Sequence, residues 1–495
     1  MKKIFTLIAL GLLAVSCAKF TDLKPKGKNM LSSADDLELL LNIDYDSFNR
    51  QLDLFHLTGD LMCNNSNIAN MIASPTPTRW SILTLWDESN IDKLPEMTAV
   101  DEDYNKFYGY IGKIANPILN SIGMGFTTGD ESKIRQIEAE ALCLRAWSAF
   151  LLVNKFAPAY NPATAASTPG IAFPMEDEGY VSAYSQWTVQ KVYDQIVADC
   201  TKAIELNSLP VQNINQMRWS KACPYAIKAL ALMGMQRFDE AETAAKESLK
   251  VNDAIADYWS SEYTRALMPF MPPFEPTMVT TRKPLECEED LFHTYSELTF
   301  GPLLTPECEN ALERGHSAMT RMPTDFMAFH HMLTPGFSMG ITSYGLPYPS
   351  IGSMGTGANE SWNTYGLKTT HQYLIVAECE IRKDNFSVAM DYLDAIRVKR
   401  IDPAIYAPLK GAVSDKARAI ECLKSTALGE NVYSVFNFIE RKRWNQLDDM
   451  KETITKKFAI SDKEYNYSLS PDSRLWTFPF PVNVVDSNPN LTNNI

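Results

Sequence analysis

Two stretches of this chain concentrate flat aromatic rings and carboxamides. The first holds Asn64, Asn65, Asn67, Trp80, Trp86 and Asn90; the second holds Tyr344, Tyr348, Asn359, Trp362, Asn363 and Tyr365. Rings of this kind cover the apolar face of a pyranose, and carboxamides exchange hydrogen bonds with hydroxyls. An open platform combining both can hold a saccharide. Trp and Tyr are buried more often than not, so any one ring alone reads first as packing. We therefore expect one or two of the set Trp80, Trp86, Asn90, Tyr344, Tyr348, Trp362 and Tyr365 to reach a ligand.

Other chemistry finds little footing. The six histidines are His56, His293, His316, His330, His331 and His371. None falls in a His-Glu-x-x-His pattern, and there is no Gly-x-Ser-x-Gly and no phosphate-binding glycine loop. His330-His331 is a metal candidate by composition only. With 60 acidic residues, an accidental carboxylate pair says nothing about glycoside hydrolysis. We expect no enzyme activity, no metal and no cofactor. The formal net charge of −14 argues against a nucleic-acid partner, which would need a basic face. The basic run Glu440-Arg441-Lys442-Arg443-Trp444 is expected to be a solvated helix end favoured by the helix dipole. Beside Cys17, eight scattered cysteines form no Cys-x-x-Cys pair, and their spacing selects no disulfide pattern.

The elements that would position these residues are mostly helical. Ile134, Ile137, Ala141, Leu144, Ser148 and Leu151 recur at steps of three and four, predicting a helix that ends near Phe156, before Pro158. Val189, Tyr193, Ile196, Cys200 and Ala203 predict another. Trp219 to Val251 and His371 to Arg400 each read as helix, turn and helix, with turns at Met235–Ala241 and Asn385–Ala389. Ser32 or Ser33 should cap a helix running to Leu41, and helix is also expected from Val100 to Ile122 and from Ala417 to Trp444. Residues 59–95 and 252–370 look irregular, and Trp476–Pro481 looks extended. Phe238-Asp239-Glu240-Ala241 and Phe386-Ser387-Val388-Ala389 resemble the helix-turn-helix unit of tetratricopeptide repeats.

The N-terminus carries its own signal. Lys2 and Lys3 precede an apolar run, Ile4 to Val15, followed by Ser16 and Cys17. This predicts a secretion signal cut before Cys17, with Cys17 the lipid-modified first residue of a bacterial lipoprotein. Residues 1–16 would be the signal, 17–30 the lipidated cysteine and tether, and 31–495 one domain. Its helical scaffold would occupy mainly 31–58, 100–251 and 371–450, and its loop-rich binding region 59–99 and 252–370.

In order along the chain, these features resemble the SusD/RagB family of outer-membrane nutrient-binding lipoproteins. The resemblance rests on Cys17, Asp35-Asp36-Leu37, Ala115-Asn116, Arg145-Ala146-Trp147 and Phe156-Ala157-Pro158. It continues through Tyr373-Leu374-Ile375-Val376-Ala377-Glu378, Ala395-Ile396-Arg397-Val398-Lys399-Arg400 and Arg441-Lys442-Arg443-Trp444-Asn445-Gln446-Leu447. It closes on Phe478-Pro479-Phe480-Pro481 and Asn488-Pro489-Asn490-Leu491. Ala157 stands where the family often has glycine, and the Asn-Pro-Gly-Tyr finish is missing. The resemblance implies a mainly α fold in which tetratricopeptide-like pairs form a right-handed scaffold beside a large irregular loop-rich ligand region. It also implies a cell-surface protein that captures oligo- or polysaccharide for a SusC-like TonB-dependent transporter in the outer membrane. Two alternatives stay open: the same architecture binding oligopeptides, or a periplasmic tetratricopeptide-type lipoprotein that binds a partner protein.

Overall fold

A computed structural model describes residues 31–43, 53–58, 61–62, 65–178, 183–257, 263–266, 277–280, 287–294, 303–304, 363–401, 403, 406–431, 434–460 and 463–495. Cys17, Asn64, His330, His331, Tyr344, Tyr348, Asn359 and Trp362 lie outside them. The helices in chain order are α1 Ala34–Leu41, α2 Asp53–Thr58, α3 Asn65–Ala73, α4 Arg79–Leu85, α5 Glu102–Tyr110, α6 Asn116–Gly123, α7 Glu131–Phe156 and α8 Val189–Leu206. They continue as α9 Ala222–Gly234, α10 Phe238–Val251, α11 Thr369–Arg382, α12 Phe386–Arg397, α13 Lys416–Glu430, α14 Phe436–Trp444 and α15 Val482–Ser487. The described strands form five two-stranded pairs: β1 (Leu61–Met62) with β7 (Leu303–Leu304), β2 (Pro169–Ala172) with β3 (Gln186–Thr188), β4 (Tyr263–Ala266) with β5 (Thr277–Thr280), β6 (Asp290–Phe292) with β8 (Leu367–Lys368), and β9 (Ile454–Ile460) with β10 (Lys463–Leu469). The longest is the hairpin of β9 and β10.

The fold is mainly α, and the helices pack in series. α7 lies on α8, α9 on α10 and α11 on α12, and the pairs join through α8 with α9, α10 with α11 and α12 with α13. The two turns that resemble tetratricopeptide units follow one backbone path. Gln236 and Asp384 are left-handed, with φ of 60° and 59°. Arg237 and Asn385 follow at φ −90°, ψ 65° and φ −86°, ψ 56°. Phe238 and Phe386 then open the second helix of each pair. At the α8 to α9 contact a Cβ on Gly234 would come within 2.7 Å of the Tyr193 ring, so only glycine lets the two helices approach so closely.

α7 is capped by Asp130, whose carboxylate accepts from the Lys133 amide at 2.9 Å. From Ala139 to Phe156 every residue is buried. Over that stretch it is therefore a central helix covered all round. The three charged residues of that buried stretch are all paired. Arg145 makes a two-pronged bond to Asp199 at 2.8 Å, Glu140 holds Arg218 at 2.6 and 2.7 Å, and Lys155 holds Asp101 and Asp103.

A helix ends with unpaired carbonyls, and here each finds a donor. Ala157 N donates to Val153 O at 3.1 Å and Phe478 N to Lys155 O at 3.0 Å. The Lys442 ammonium donates to Asn154 O at 2.8 Å and Ala157 O at 2.6 Å. The Asn494 amide donates to Phe156 O. A buried lysine among carbonyls is what the negative end of a helix dipole favours, although burial pulls its pKa down to about 7.

Several expectations are corrected. Residues 59–95 contain α3, α4 and a 3-10 turn at Glu88–Lys93; Thr78 and Ser81 form a reciprocal cap at the start of α4, a signal short enough to be missed among prolines. The helix expected from Ala417 to Trp444 is two, α13 and α14. The helix from Val100 carries a π turn at Ile111–Ala115 just before Pro117, where the missing amide of proline breaks the regular ladder. The tail expected to be extended at Trp476–Pro481 is not among those corrected: Thr477 is extended, at φ −123° and ψ 129°, and the buried stretch leads into α15. The β9–β10 hairpin was not anticipated. The six described cysteines carry free thiols.

A candidate saccharide site at the start of the fourth helix

α4 and the elements around it are pinned by a buried charge cluster. The Arg79 guanidinium pairs with Asp53, donates to the Thr98 hydroxyl and lies 3.7 Å from Asp101. From α7, the Lys155 ammonium reaches Asp101 at 2.9 Å and Asp103 at 2.6 Å. The Tyr365 hydroxyl donates to the other Asp103 oxygen at 2.9 Å. Burial raises the Asp103 pKa, with Lys155 working against it. Burial alone would lower the Lys155 pKa, but Asp101 and Asp103 hold it above its ordinary value.

This anchor sets the direction of Trp80. Arg79 turns inward, and the next side chain turns out, leaving Trp80 39% exposed. Asn90 is half-buried, its amide donating to Asp87 at 2.6 Å. The other two described candidates do not face solvent. Trp86 ends α4 in a left-handed conformation, φ 51° and ψ 44°, which folds its ring back onto the body. It is 6% exposed, its indole N–H donates to Leu57 O at 2.5 Å, and the Lys456 ammonium lies 3.9 Å above its ring. Tyr365 is 3% exposed and is held by Asp103. Both rings pack into the framework, so among the described candidates Trp80 and Asn90 are the more exposed. Asn363 also braces, donating to Asp290 Oδ1 at 2.9 Å and Phe292 O at 3.0 Å. Tyr344, Tyr348, Trp362 and Cys17 lie outside the described residues.

Beyond Trp86 opens a cleft of about 440 Å³ between α13, α14 and the first residues of β9. It was not legible as a site in the sequence. Lys424, Asn437, Arg441, Trp444, Glu452 and Lys456 give it its character. Arg441 donates to Thr58 O at 2.6 Å. Lys424 donates to Met450 O at 2.5 Å and pairs with Glu452 at 3.0 Å. α4 has seven residues, so Trp80 stands about 9 Å along its axis from this cleft.

The basic run on α14 is not the solvated end expected of it. Lys442 is 2% exposed and Arg443 8%. Lys442 closes the end of α7. Arg443 bonds both oxygens of Glu378 at 2.8 and 2.5 Å, and Trp444 adds its indole N–H to the same carboxylate at 3.0 Å. Arg441 alone of the three turns to the cleft. A signal for this was available, because adjacent helical residues point about 100° apart and three consecutive cations cannot share one face.

Among the described residues no group of three His, Cys, Asp or Glu is placed to hold a metal. Asp290 and His293 approach to 2.7 Å but are buried beneath the surface. No helix of the described residues is long and apolar enough to cross a membrane.

Comparison with known proteins adds a family. Residues 46–231 match the sequence model of the SusD-like family described as starch-binding and associating with the outer membrane. Among solved structures, a SusD superfamily protein from Bacteroides thetaiotaomicron is 16% identical, with a TM-score of 0.61 over 94% of this chain and 100% of that one. A putative sugar binding protein from Bacteroides vulgatus is also 16% identical, with a TM-score of 0.64 over 94% and 99%. A SusD-like carbohydrate binding protein from the same species is 14% identical, with a TM-score of 0.60 over 93% and 97%. No curated protein matches. The sequence match to that family covers residues 46–231, and the fold is that of SusD superfamily structures over nearly the whole chain.

Proposed function

We propose that this protein is a carbohydrate-binding lipoprotein of the bacterial cell surface, held in the outer membrane by lipid on Cys17. It captures an oligo- or polysaccharide and hands it to a SusC-like TonB-dependent transporter. It acts by binding, without catalysis or cofactor. One observation carries the reading: Trp80 stands exposed on a rigidly anchored helix inside the stretch that matches a starch-binding family. A flat ring fixed by a buried ion cluster is preorganised, so little conformational freedom is lost when a sugar stacks on it. The transporter and the lipid anchor are what the family resemblance and the Lys2 to Cys17 signal support.

The test is a binding screen against polysaccharides and a peptide mixture, read by tryptophan fluorescence. A glycan response that weakens in Trp80→Ala supports the reading, and a response to peptides alone rejects it. In cells, Cys17→Ala should move the protein from the membrane to the soluble fraction, and retention there would reject the anchor. A peptide ligand is the second reading, and one observation favours it. Thr453–Lys456 border the cleft at the start of β9, and among the described residues β9 pairs only with β10. A strand with an unpaired edge can add an extended peptide.

A further inference from the structure

The charge cluster that anchors α4 does not balance. Asp53, Asp101 and Asp103 bring three carboxylates, Arg79 and Lys155 two cations, and all five side chains are 16% exposed or less. The cations are unevenly shared. Arg79 pairs with Asp53 and lies 3.7 Å from Asp101. Lys155 is divided between Asp101 at 2.9 Å and Asp103 at 2.6 Å. Asp101 also caps α5, accepting from the Tyr104 amide at 3.0 Å. Asp103 is left with a share of one ammonium and one neutral partner, the Tyr365 hydroxyl at 2.9 Å. Leu54, Phe107, Asn154, Phe438 and Ile439 close around it without charge, and Glu102 beside it on α5 faces solvent.

A surplus carboxylate held away from water is costly, and such a group takes up a proton instead. Burial raises the Asp103 pKa above its ordinary 3.8, against the pull of Lys155. We infer that this cluster holds one titrating proton, on Asp103, and that its loss as pH rises loosens the mount of Trp80. With Asp103 ionised, the Tyr365 hydroxyl donates to it. With Asp103 protonated the same bond reverses, and the carboxyl donates to the Tyr365 oxygen. The pair stays joined in both states, so the proton can pass to water without dismantling the cluster. What changes is the charge. With the proton in place, Asp53 and Asp101 face Arg79 and Lys155, two against two. Once it leaves, Asp103 draws Lys155 away from Asp101, three carboxylates repel one another, and the Arg79 end of α4 gives way. Trp80 is the next residue on that end. The inference concerns this mount alone and holds whatever Trp80 binds, so it stands or falls apart from the carbohydrate reading.

The experiment compares the full chain with Asp103→Asn, in which the cluster is balanced at every pH. A group whose folded pKa is raised stabilises the fold fully below its unfolded value, and that contribution is lost as pH rises through the folded one. From about pH 5 to about pH 9, the denaturant midpoint of the unaltered chain should therefore fall relative to that of the variant. Over the same range, hydrogen exchange of residues 79–93, read by mass spectrometry at matched pH, should become about threefold or more faster in the unaltered chain than in the variant. At the acid end of the range, the infrared difference between the two proteins should contain one protonated-carboxyl band. Midpoints that run parallel at every pH would overturn the inference. So would a midpoint difference with exchange in 79–93 unchanged, because the proton would then not reach Trp80. A missing infrared band would reject Asp103 as the holder. Should Asp103→Asn fail to fold, Asp53→Asn removes the same surplus, and a pH dependence of exchange that persists there rejects the inference.

Discussion

The helical scaffold and the strip that carries Trp80 bury side chains by different rules. In the scaffold, periodicity decides: Ile196, Cys200 and Ala203 are all within 2% of complete burial, as their spacing requires. In the strip, two tryptophans six residues apart have opposite fates. Trp80 is 39% exposed and Trp86 6%, although both sit in polar, proline-rich sequence. There the deciding factor is an anchor, the Arg79 and Lys155 ion cluster, together with a left-handed helix end at Trp86. Period fixes which face is inside only where a helix runs long enough to have faces; in short pieces a single ion pair or backbone dihedral settles each residue.

Acid should expose this contrast most strongly. Burial alone would raise the carboxyl pKa values of Glu289 and Glu378 in the scaffold, but Arg400 and Arg443 bring them down to about 2. A depressed carboxylate stabilises the fold fully above its unfolded value near 4.5, and that stabilisation is lost as pH falls from there through 2. Asp103 in the strip is shifted the other way, so on protonation it does not oppose the fold in this window. Helical circular dichroism should therefore collapse between pH 4.5 and 2. A helical signal flat to pH 2 would show that the arginine pairs do not hold the scaffold.

Next in size is Glu378→Gln, which removes one of the two carboxylates that hold the buried Arg443. It should cost about 3–5 kcal/mol in denaturant unfolding. Trp86→Ala should lose about 3–5 kcal/mol of stability by leaving a cavity. Trp80→Ala should instead weaken glycan affinity by about 1–3 kcal/mol with the unfolding midpoint unmoved. If the two tryptophan variants behave alike, the distinction drawn between them is wrong. At the small end, Lys451→Ala removes an exposed pair with Asp448 and should leave the denaturant unfolding midpoint unmoved, because solvent screens such a pair.

The same contrast explains what could be read in advance. The cap at Ser33, the long helix to Phe156 and the turns before Phe238 and Phe386 were legible because each is local: a hydroxyl before acidic residues, a three-and-four spacing, an aromatic before a helix start. Trp80 was named among several aromatics, and nothing local separated its exposure from the burial of Trp86 or Tyr365. Their partners, Leu57, Lys456 and Asp103, come from elsewhere in the chain, and for Tyr365 the partner is 262 residues away. The cleft was missed for the same reason, since it is assembled from α13, α14 and β9, and only Trp86 among the expected residues borders it.

The closing of α7 has a consequence for how the chain matures. The carbonyls at its C-terminal end are satisfied by Lys442, Phe478 and Asn494, so the central helix is finished by residues made hundreds of positions later. A chain growing from its N-terminus can form the early helix pairs, but it carries open acceptors at its centre until the last stretch arrives. Contacts of such long separation slow folding, because the loop must close before it is rewarded. Removing the Asn494 side chain would then be felt first as a change in folding rate, far from any ligand.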